Sequence, residues 1–350
     1  MIIYGSSNTN GSGSAADLTP ENGVELIWEE GTAEGTVDDE EWTYDFHENI
    51  YSVGSEIFIR TGDAETMGIT NYGTWNDDGV KEVYIDSDQP DASDIDFIYI
   101  RDFVDVELDL GDWAASDYAT SYDHLVYFDN VQFEVAIFDA KRGHVDASES
   151  TEDIGLLIQP YSNGGSWSNM FEVEMGSGND FVQFESYAHI SDDQHISPSS
   201  EWTEFNVSMA EGDDTFIYSI HQANNDAMTR FVDGGEGFDS LLLHRDSDDI
   251  EFSDFELITV DGDGEEVVTL TMDQELLEDN SSSEQGLILD SVEVELTDDY
   301  TSIEVADLSE AQSDYLSEHD LDSSEFAAVT VTYGDESYTL LTNEVSDAWS

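Results

Sequence analysis

The segments Phe171–Asp180 (FEVEMGSGND) and Phe205–Asp214 (FNVSMAEGDD) align without a gap and are the most informative feature of the sequence. Each begins with alternating apolar and polar residues, enters a glycine-containing turn and ends on an aspartate. The second copy starts 34 residues after the first, and a looser third copy occupies Phe231–Asp239 (FVDGGEGFD). Repeats at intervals of about 20 to 50 residues are typical of proteins built from stacked units. The sequence therefore predicts coils that each bury an apolar face on the next.

Apolar residues also follow the aspartate of each repeat at the second and fourth positions, which predicts a second strand after the turn. These residues are Val182 and Phe184, Phe216 and Tyr218, and Leu241 and Leu243. The same alternation occurs in Val104–Leu110 and Val292–Leu296, whereas Leu308–Leu316 is the one convincing helical segment. We therefore predict an all-β fold with little helix. Its stacked strands and Gly-Asp turns form either a β-solenoid (β-roll) or a sandwich-like arrangement.

Changes in composition predict three regions with soft boundaries. Residues 1–100 form an N-terminal β region rich in Gly and Asn, and residues 101–285 contain the repeats and form the solenoid region. Residues 286–350 follow the polar loop 279–283 and form a smaller C-terminal β unit or tail.

The charge of the chain is extreme, with 84 Asp and Glu against 7 Lys and Arg and a formal net charge of −77. Hydrophobic residues still make up 39% of the sequence, so a core is possible and the charge must lie on its surface. A compact chain of this charge repels itself unless counterions bind. Two solutions remain open: diffuse monovalent ions in a salty medium, or divalent ions held by carboxylates and carbonyls, for which calcium is suited.

The Gly-Asp turns are the candidate ion sites. Gly176–Asp180 (GSGND) and Gly235–Leu241 (GEGFDSL) resemble the glycine-rich nonapeptide of the RTX (hemolysin-type) calcium-binding repeat family of secreted bacterial proteins, and Ala210–Asp214 (AEGDD) is a weaker version. The resemblance covers about residues 130 to 275 and implies that calcium lies between consecutive turns, with carbonyl and aspartate ligands. The predicted metal residues of the turns are Gly176, Gly178, Asn179, Asp180, Gly212, Asp213, Asp214, Asp233, Gly235, Gly237 and Asp239.

The repeats depart from the family in their spacing. Tandem RTX turns recur about every nine residues, whereas the turns of this chain recur after 34 and 25 residues. Each turn therefore needs a partner carboxylate from elsewhere, such as Asp213, Asp233 or Asp193, and a plain Gly-Asp turn without metal is the alternative. The segment Asp261–Glu266 (DGDGEE) is half of an EF-hand loop, which makes Asp261 and Asp263 further candidate ligands; a solvated hairpin turn is the alternative.

Several classes of function are disfavoured. Nucleic acids and anionic membranes are bound by basic patches, which a chain with seven cationic residues lacks. Catalytic signatures are also missing: the sequence after His47-Glu48 lacks the second histidine of a zinc protease, and no G-x-S-x-G elbow occurs. We therefore expect no enzyme activity, no nucleic-acid partner and no membrane insertion.

The combined features predict a calcium-binding structural protein of the extracellular medium or cell surface, as in a surface layer, an adhesin or a matrix. The expected route is secretion without a cleaved N-terminal signal, and the expected partners are calcium ions, further copies of the chain or other surface proteins, and glycans. Two alternatives stay open. The chain could be a coat or decoration protein of a virion or filament, or a carbohydrate-binding or carbohydrate-active protein from a halophile.

Overall fold

A computed structural model gives the fold of the chain. Before residue 135 it describes nine β-strands, and after that point it describes residues 135–160, 169–185, 203–219, 229–243, 250–260, 268–281, 283, 285–297 and 300–344. Strands dominate this part of the chain, with two α-helices and one short 3-10 helix, so the predicted all-β class is confirmed. The chain forms two compact units. Unit 1 comprises residues 1–207 and 220–228, and unit 2 comprises residues 208–219 and 229–350.

The described part of unit 1 contains fifteen strands. They are β1 (Ile2–Ser6), β2 (Gly23–Trp28), β3 (Thr32–Val37), β4 (Glu40–Asp45), β5 (Glu56–Arg60), β6 (Thr66–Asn71), β7 (Glu82–Asp86), β8 (Phe97–Arg101), β9 (Asp105–Asp109), β10 (Val135–Ala140), β11 (Arg142–Asp146), β12 (Gly155–Pro160), β13 (Asn169–Glu174), β14 (Phe181–Glu185) and β15 (Thr203–Ser208).

Successive strands of unit 1 alternate between two sheets. One sheet has the order β6-β8-β10-β12-β14, and the other has the order β5-β7-β9-β11-β13-β15. The pairings of β5 to β14 within these runs are parallel, so each coil adds one strand to each sheet, as in a β-solenoid. The first strands depart from this scheme, because β1, β2, β3 and β4 pair antiparallel.

Aromatic side chains stack through the core of unit 1. The ring of Phe184 lies edge-on to Phe171 at a centroid distance of 5.7 Å and stacks on Phe205 at 4.7 Å. All three rings are buried. The amide of Asn169 also donates to the hydroxyl of Thr203 (3.2 Å). This bond joins positions 34 residues apart, in agreement with the interval of the sequence repeat.

Among its described residues, unit 2 has eleven strands, two α-helices and a 3-10 helix at Ser323–Glu325. The elements are β16 (Thr215–Ser219), β17 (Arg230–Asp233), β18 (Ser240–Leu243), β19 (Glu251–Ser253), β20 (Leu257–Val260), β21 (Val268–Met272), α1 (Gln274–Asp279), β22 (Leu287–Asp290), β23 (Val292–Leu296), β24 (Ser302–Ala306), α2 (Glu310–Glu318), β25 (Ala327–Tyr333) and β26 (Glu336–Thr342).

Parallel stacking continues within unit 2 and then ends in an antiparallel cap. Strands β16, β18, β20, β22 and β26 are consecutive neighbours in one sheet and pair in parallel. The pairs β17–β19 and β21–β23 are also parallel. Strand β26 also pairs antiparallel with β25, which in turn pairs antiparallel with β24. The predicted region boundaries near residues 100 and 285 remain predictions.

Helix α2 covers one end of this sheet. Leu316 is buried with Ile288 and Leu341, so the helix contributes to the core. The helix predicted over Leu308–Leu316 begins two residues later because Ser309 caps it: its hydroxyl accepts from the Gln312 N–H, and the Gln312 side chain accepts from the Ser309 N–H.

Candidate metal centre at the Gly-Asp turns

The turns of unit 2 stack directly on one another. The N–H of Gly212 donates to the carbonyl of Glu236 (2.9 Å), and the N–H of Glu236 donates to the carbonyl of Ala210 (2.7 Å). A β-carbon on Gly237 would lie 1.7 Å from the Gly212 oxygen. The backbones of consecutive turns therefore lie as close together as those of neighbouring strands. Only glycine permits this approach at position 237, because any side chain would collide with the Gly212 carbonyl.

The turn of unit 1 is packed in the same way. The N–H of Ser177 donates to the carbonyl of Ser150 (2.9 Å). A β-carbon on Gly176 would lie 2.1 Å from that oxygen, and one on Gly178 would lie 2.1 Å from the carbonyl oxygen of Glu152. The predicted glycines are thus positions of close backbone approach between coils.

The three repeat aspartates point into the protein. Asp180, Asp214 and Asp239 are 2%, 1% and 0% exposed. Oδ1 of Asp180 accepts from the backbone N–H of Ile154 (2.8 Å), and Oδ1 of Asp239 accepts from that of Asp214 (2.8 Å). Each of these two carboxyl groups therefore bonds the backbone of the preceding coil.

Unit 2 adds a carboxyl group that the sequence analysis missed. Glu256 is 7% exposed, and its Oε2 accepts from the N–H of Asp239 (2.8 Å). Since Thr215 pairs with Ser240 and Ser240 with Leu257, the acidic residues Asp214, Asp239 and Glu256 occupy equivalent positions in three successive coils. The signal that could have found Glu256 is its place directly before a strand, where the repeats carry aspartate.

Burial in this acidic stack shifts the titration of Asp239. Desolvation raises the pKa of its carboxyl group from 3.8 to about 7, and the charges of Glu256, Asp213 and Asp233 add to the rise against the lowering effect of the Asp214 N–H. Its Oδ2 is buried and has no hydrogen-bond partner among the residues that the structure describes. The Asp239 carboxyl group therefore needs a proton or a cation.

Asp180 shows a similar but smaller effect in unit 1. Burial raises the pKa of its carboxyl group to about 6; the N–H groups of Ile154 and Gly176 oppose the shift, and the charge of Asp153 adds to it. The pKa of Asp239 is also raised by the buried carboxyl group of Glu256 in the adjacent coil, whereas the acidic residue that raises the pKa of Asp180 is the exposed Asp153.

The remaining candidates lie nearer the surface. Oδ1 of Asp213 accepts from the N–H of Phe238 (2.9 Å), and the N–H of Asn179 donates to Asp153 (2.7 Å). Asp233 accepts from the hydroxyl of Ser253 (3.1 Å). These contacts also link adjacent coils.

Some predicted ligands cannot be placed. Asp261 and Asp263, and the suggested partner Asp193, lie outside the described residues. Within the described part of the chain, no three His, Cys, Asp or Glu side chains gather as a metal-binding group. The turns offer oxygen donors, among them the buried Oδ2 of Asp239; oxygen donors suit a hard cation such as calcium.

Comparison of the chain with known protein families, with curated proteins and with solved structures found no match. The helices that the structure describes include none that is long and apolar enough to cross a bilayer.

We expect Asp239→Asn to flatten the dependence of stability on pH. The folded pKa of Asp239, about 7, exceeds the unfolded value of 3.8, so its protonation stabilises the fold fully below pH 3.8, and this contribution is lost as the pH rises through 7. Asparagine keeps the acceptor for the Asp214 N–H and cannot ionise. Without divalent ions, the free energy of unfolding of the variant relative to wild type should therefore rise between pH 4 and pH 7, by at most about 1.4 kcal/mol per pH unit.

Urea unfolding at several pH values measures this difference. Asp335→Asn, in the exposed turn between β25 and β26, removes the same charge and is the control. Parallel curves for wild type and Asp239→Asn would show that the Asp239 carboxyl group does not hold a proton in the fold.

Proposed function

We propose that the chain is a non-enzymatic structural protein of an extracellular surface, and that calcium bound at the turns of unit 2 stabilises its solenoid. The observation that carries the proposal is the Asp239 carboxyl group. It is 0% exposed, one oxygen has no hydrogen-bond partner among the described residues, and acidic side chains lie on either side in the coil stack.

At neutral pH a bound cation neutralises the buried Asp239 carboxylate more completely than a proton does. Two buried carboxylates one coil apart repel each other in a medium of low polarity, and protonation at pH 7 to 8 is incomplete for a group with a pKa of about 7. Asp239 would hold the ion, and the charges of Asp213, Asp233 and Glu256 would favour it there. Calcium would supply positive charge and would accept backbone carbonyl oxygens and water as its remaining ligands.

The net charge of the chain supports the same role. A charge of −77 opposes compaction, so ions that bind only the folded chain convert binding energy into folding energy. In a calcium-poor compartment the folded chain would be only marginally stable, and in a medium with millimolar calcium it would be held as a rigid solenoid. This behaviour suits a component that is exported before it folds and then serves as a structural part of a surface.

Calcium is expected to raise the melting temperature of the wild-type chain at pH 8 beyond the rise in sodium chloride of equal ionic strength. A free calcium concentration of about 100 times the dissociation constant would add about 2.7 kcal/mol to the free energy of unfolding. Thermal melting is measured with calcium, with chelator and with the salt control. Asp239→Asn should lose the calcium-specific part of the rise, and Asp335→Asn should keep it.

Two outcomes would contradict the proposal. Equal stabilisation by calcium and by the salt control would mean that diffuse counterions, as in a halophile, neutralise the chain. A calcium-specific gain that persists in Asp239→Asn would place the ion elsewhere and remove the role assigned to the turns of unit 2.

A further inference from the structure

A cavity of about 420 Å³ opens in unit 2 where parallel stacking is interrupted. Among the described strands, β19 pairs only with β17, and β21 pairs only with β23, so no backbone ladder joins β19 to β21. Side chains of β17, β19, β21 and α1 line the space between them. The cavity thus lies between two strand pairs that no backbone ladder joins.

One wall of the cavity is apolar. Ile250 and Phe252 are 5% and 1% exposed, and the half-buried side chains of Phe231 and Leu276 complete this wall. The volume lies in the lower part of the usual range for ligand pockets, about 300 to 1,000 Å³. The cavity is large enough to admit an alkyl chain and the polar group that it carries.

Carboxylates form the polar part of the lining. Glu251, Asp273, Glu275 and Asp279 are exposed and line the cavity. Oδ1 of Asp273 caps α1 by accepting from the N–H of Leu276 (2.9 Å), so the other three carboxylates are the groups most available to a ligand. Among the described residues, no Lys, Arg or His lines the space. A cation at the opening would therefore meet only negative charge.

We infer that this cavity binds an arginine side chain presented by a basic segment of a partner protein. The methylene stem would lie along Ile250 and Leu276, the guanidinium group would bond Glu251, Glu275 or Asp279, and the ring of Phe231 would add a cation–π contact. A bare metal ion would gain nothing from the apolar wall. A second copy of the chain is a poor source of the arginine, since it has 7 cationic residues against 84 acidic ones.

The inference is tested with a short peptide that carries one arginine between glycines, acetylated and amidated at its ends. Binding is measured by ligand-observed NMR in chelator, so that the result does not depend on calcium. The same peptide with citrulline in place of arginine keeps the shape and removes the charge, and it should bind at least about tenfold more weakly.

Two double variants separate the cavity from general attraction to a polyanion. Glu251→Gln/Glu275→Gln removes two lining charges and should weaken binding about tenfold. Glu278→Gln/Glu295→Gln removes two exposed charges that lie on α1 and β23 outside the lining, and it should stay within about twofold of wild type. Equal losses in the two double variants would overturn the inference.

A third variant tests the cavity itself without changing the charge. Thr271→Trp places a large side chain from an exposed position of the lining into the space and should abolish binding. Thermal melting checks that each variant is folded. Binding of the arginine peptide at wild-type affinity by Thr271→Trp, or equal binding of the arginine and citrulline peptides by wild type, would also overturn the assignment.

Discussion

Replacing Gly235 with alanine is expected to destabilise unit 2 by about 3 kcal/mol or more. Gly235 has a φ of +98°, which L-residues rarely adopt, and a β-carbon there would lie 2.0 Å from the carbonyl oxygen of Ala210. That oxygen accepts from the N–H of Glu236 in the neighbouring turn, so it cannot move away without breaking the stacking bond. The steric clash and the backbone strain therefore both lower the stability of Gly235→Ala.

Urea unfolding of wild type and Gly235→Ala measures the effect. Gly334→Ala is the matched control, because Gly334 also has a positive φ (+61°) but no atom lies within 4 Å of its would-be β-carbon. The free energy of unfolding of the control should fall by only about 1 kcal/mol, because alanine there meets the left-handed backbone strain but no steric clash. Equal losses at the two sites would mean that the turns of unit 2 do not stack as closely as the structure has them.

Replacing Asn280 with alanine should lower the free energy of unfolding by about 3 kcal/mol. The buried side chain of Asn280 makes hydrogen bonds to backbone groups at β19 that a neighbouring strand would otherwise make. Asn280 is 2% exposed and follows α1. Its amide donates to the carbonyls of Phe252 (2.9 Å) and Leu276 (2.8 Å), and its Oδ1 accepts from the N–H of Phe255 (3.1 Å). Without the Asn280 side chain, backbone groups beside β19 are buried without a hydrogen-bond partner. Leaving them unpaired destabilises the fold by more than the hydrogen bonds themselves stabilise it.

Asn280→Asp sharpens the test. The carboxylate keeps the acceptor for Phe255 and loses both donors, so at pH 8 this variant should be at least as unstable as Asn280→Ala. In acid the protonated carboxyl group can donate again, and part of the loss should be recovered. Asn343→Ala removes a half-buried asparagine that bonds Asp290 and Ser291 and should cost about 1 kcal/mol. A loss below 1 kcal/mol for Asn280→Ala would contradict its role as a strand substitute.

Much of the architecture follows from local patterns that the sequence shows directly. Alternation at Phe171–Asp180 and Phe205–Asp214 predicted strands with one buried face, and β13 and β15 have this alternation in their burial. The alignment of Phe231–Asp239 on the second copy places Asp239 opposite Asp214, which is the observed register. These predictions succeeded because the two-residue period of a strand and the glycine requirement of a tight turn are properties of a few neighbouring residues.

The candidate site was predictable only in part. The sequence identified Asp180, Asp214 and Asp239 as site residues. It did not determine the direction of their carboxyl groups, because a Gly-Asp turn allows the carboxyl group either to face solvent or to bond the adjacent coil. Helix α1 was not predicted, because its six residues carry too few apolar positions to show a helical period. The calcium site and the resemblance to RTX proteins stay predictions.

The sequence by itself determined that this chain is a strongly acidic, all-β protein of stacked strands with glycine at its corners. The tertiary structure alone decided which residues meet across coils: Glu256 above Asp239, Asn280 beside β19, and the gap between β19 and β21. The physical reason is that parallel backbone bonds fix the pairing of strands without fixing the length of chain between them, so Ser240 pairs with Leu257 and Leu257 pairs with Ile288 across loops of unequal length. Contacts of this kind depend on three-dimensional register, which the repeat intervals no longer specify after Asp239.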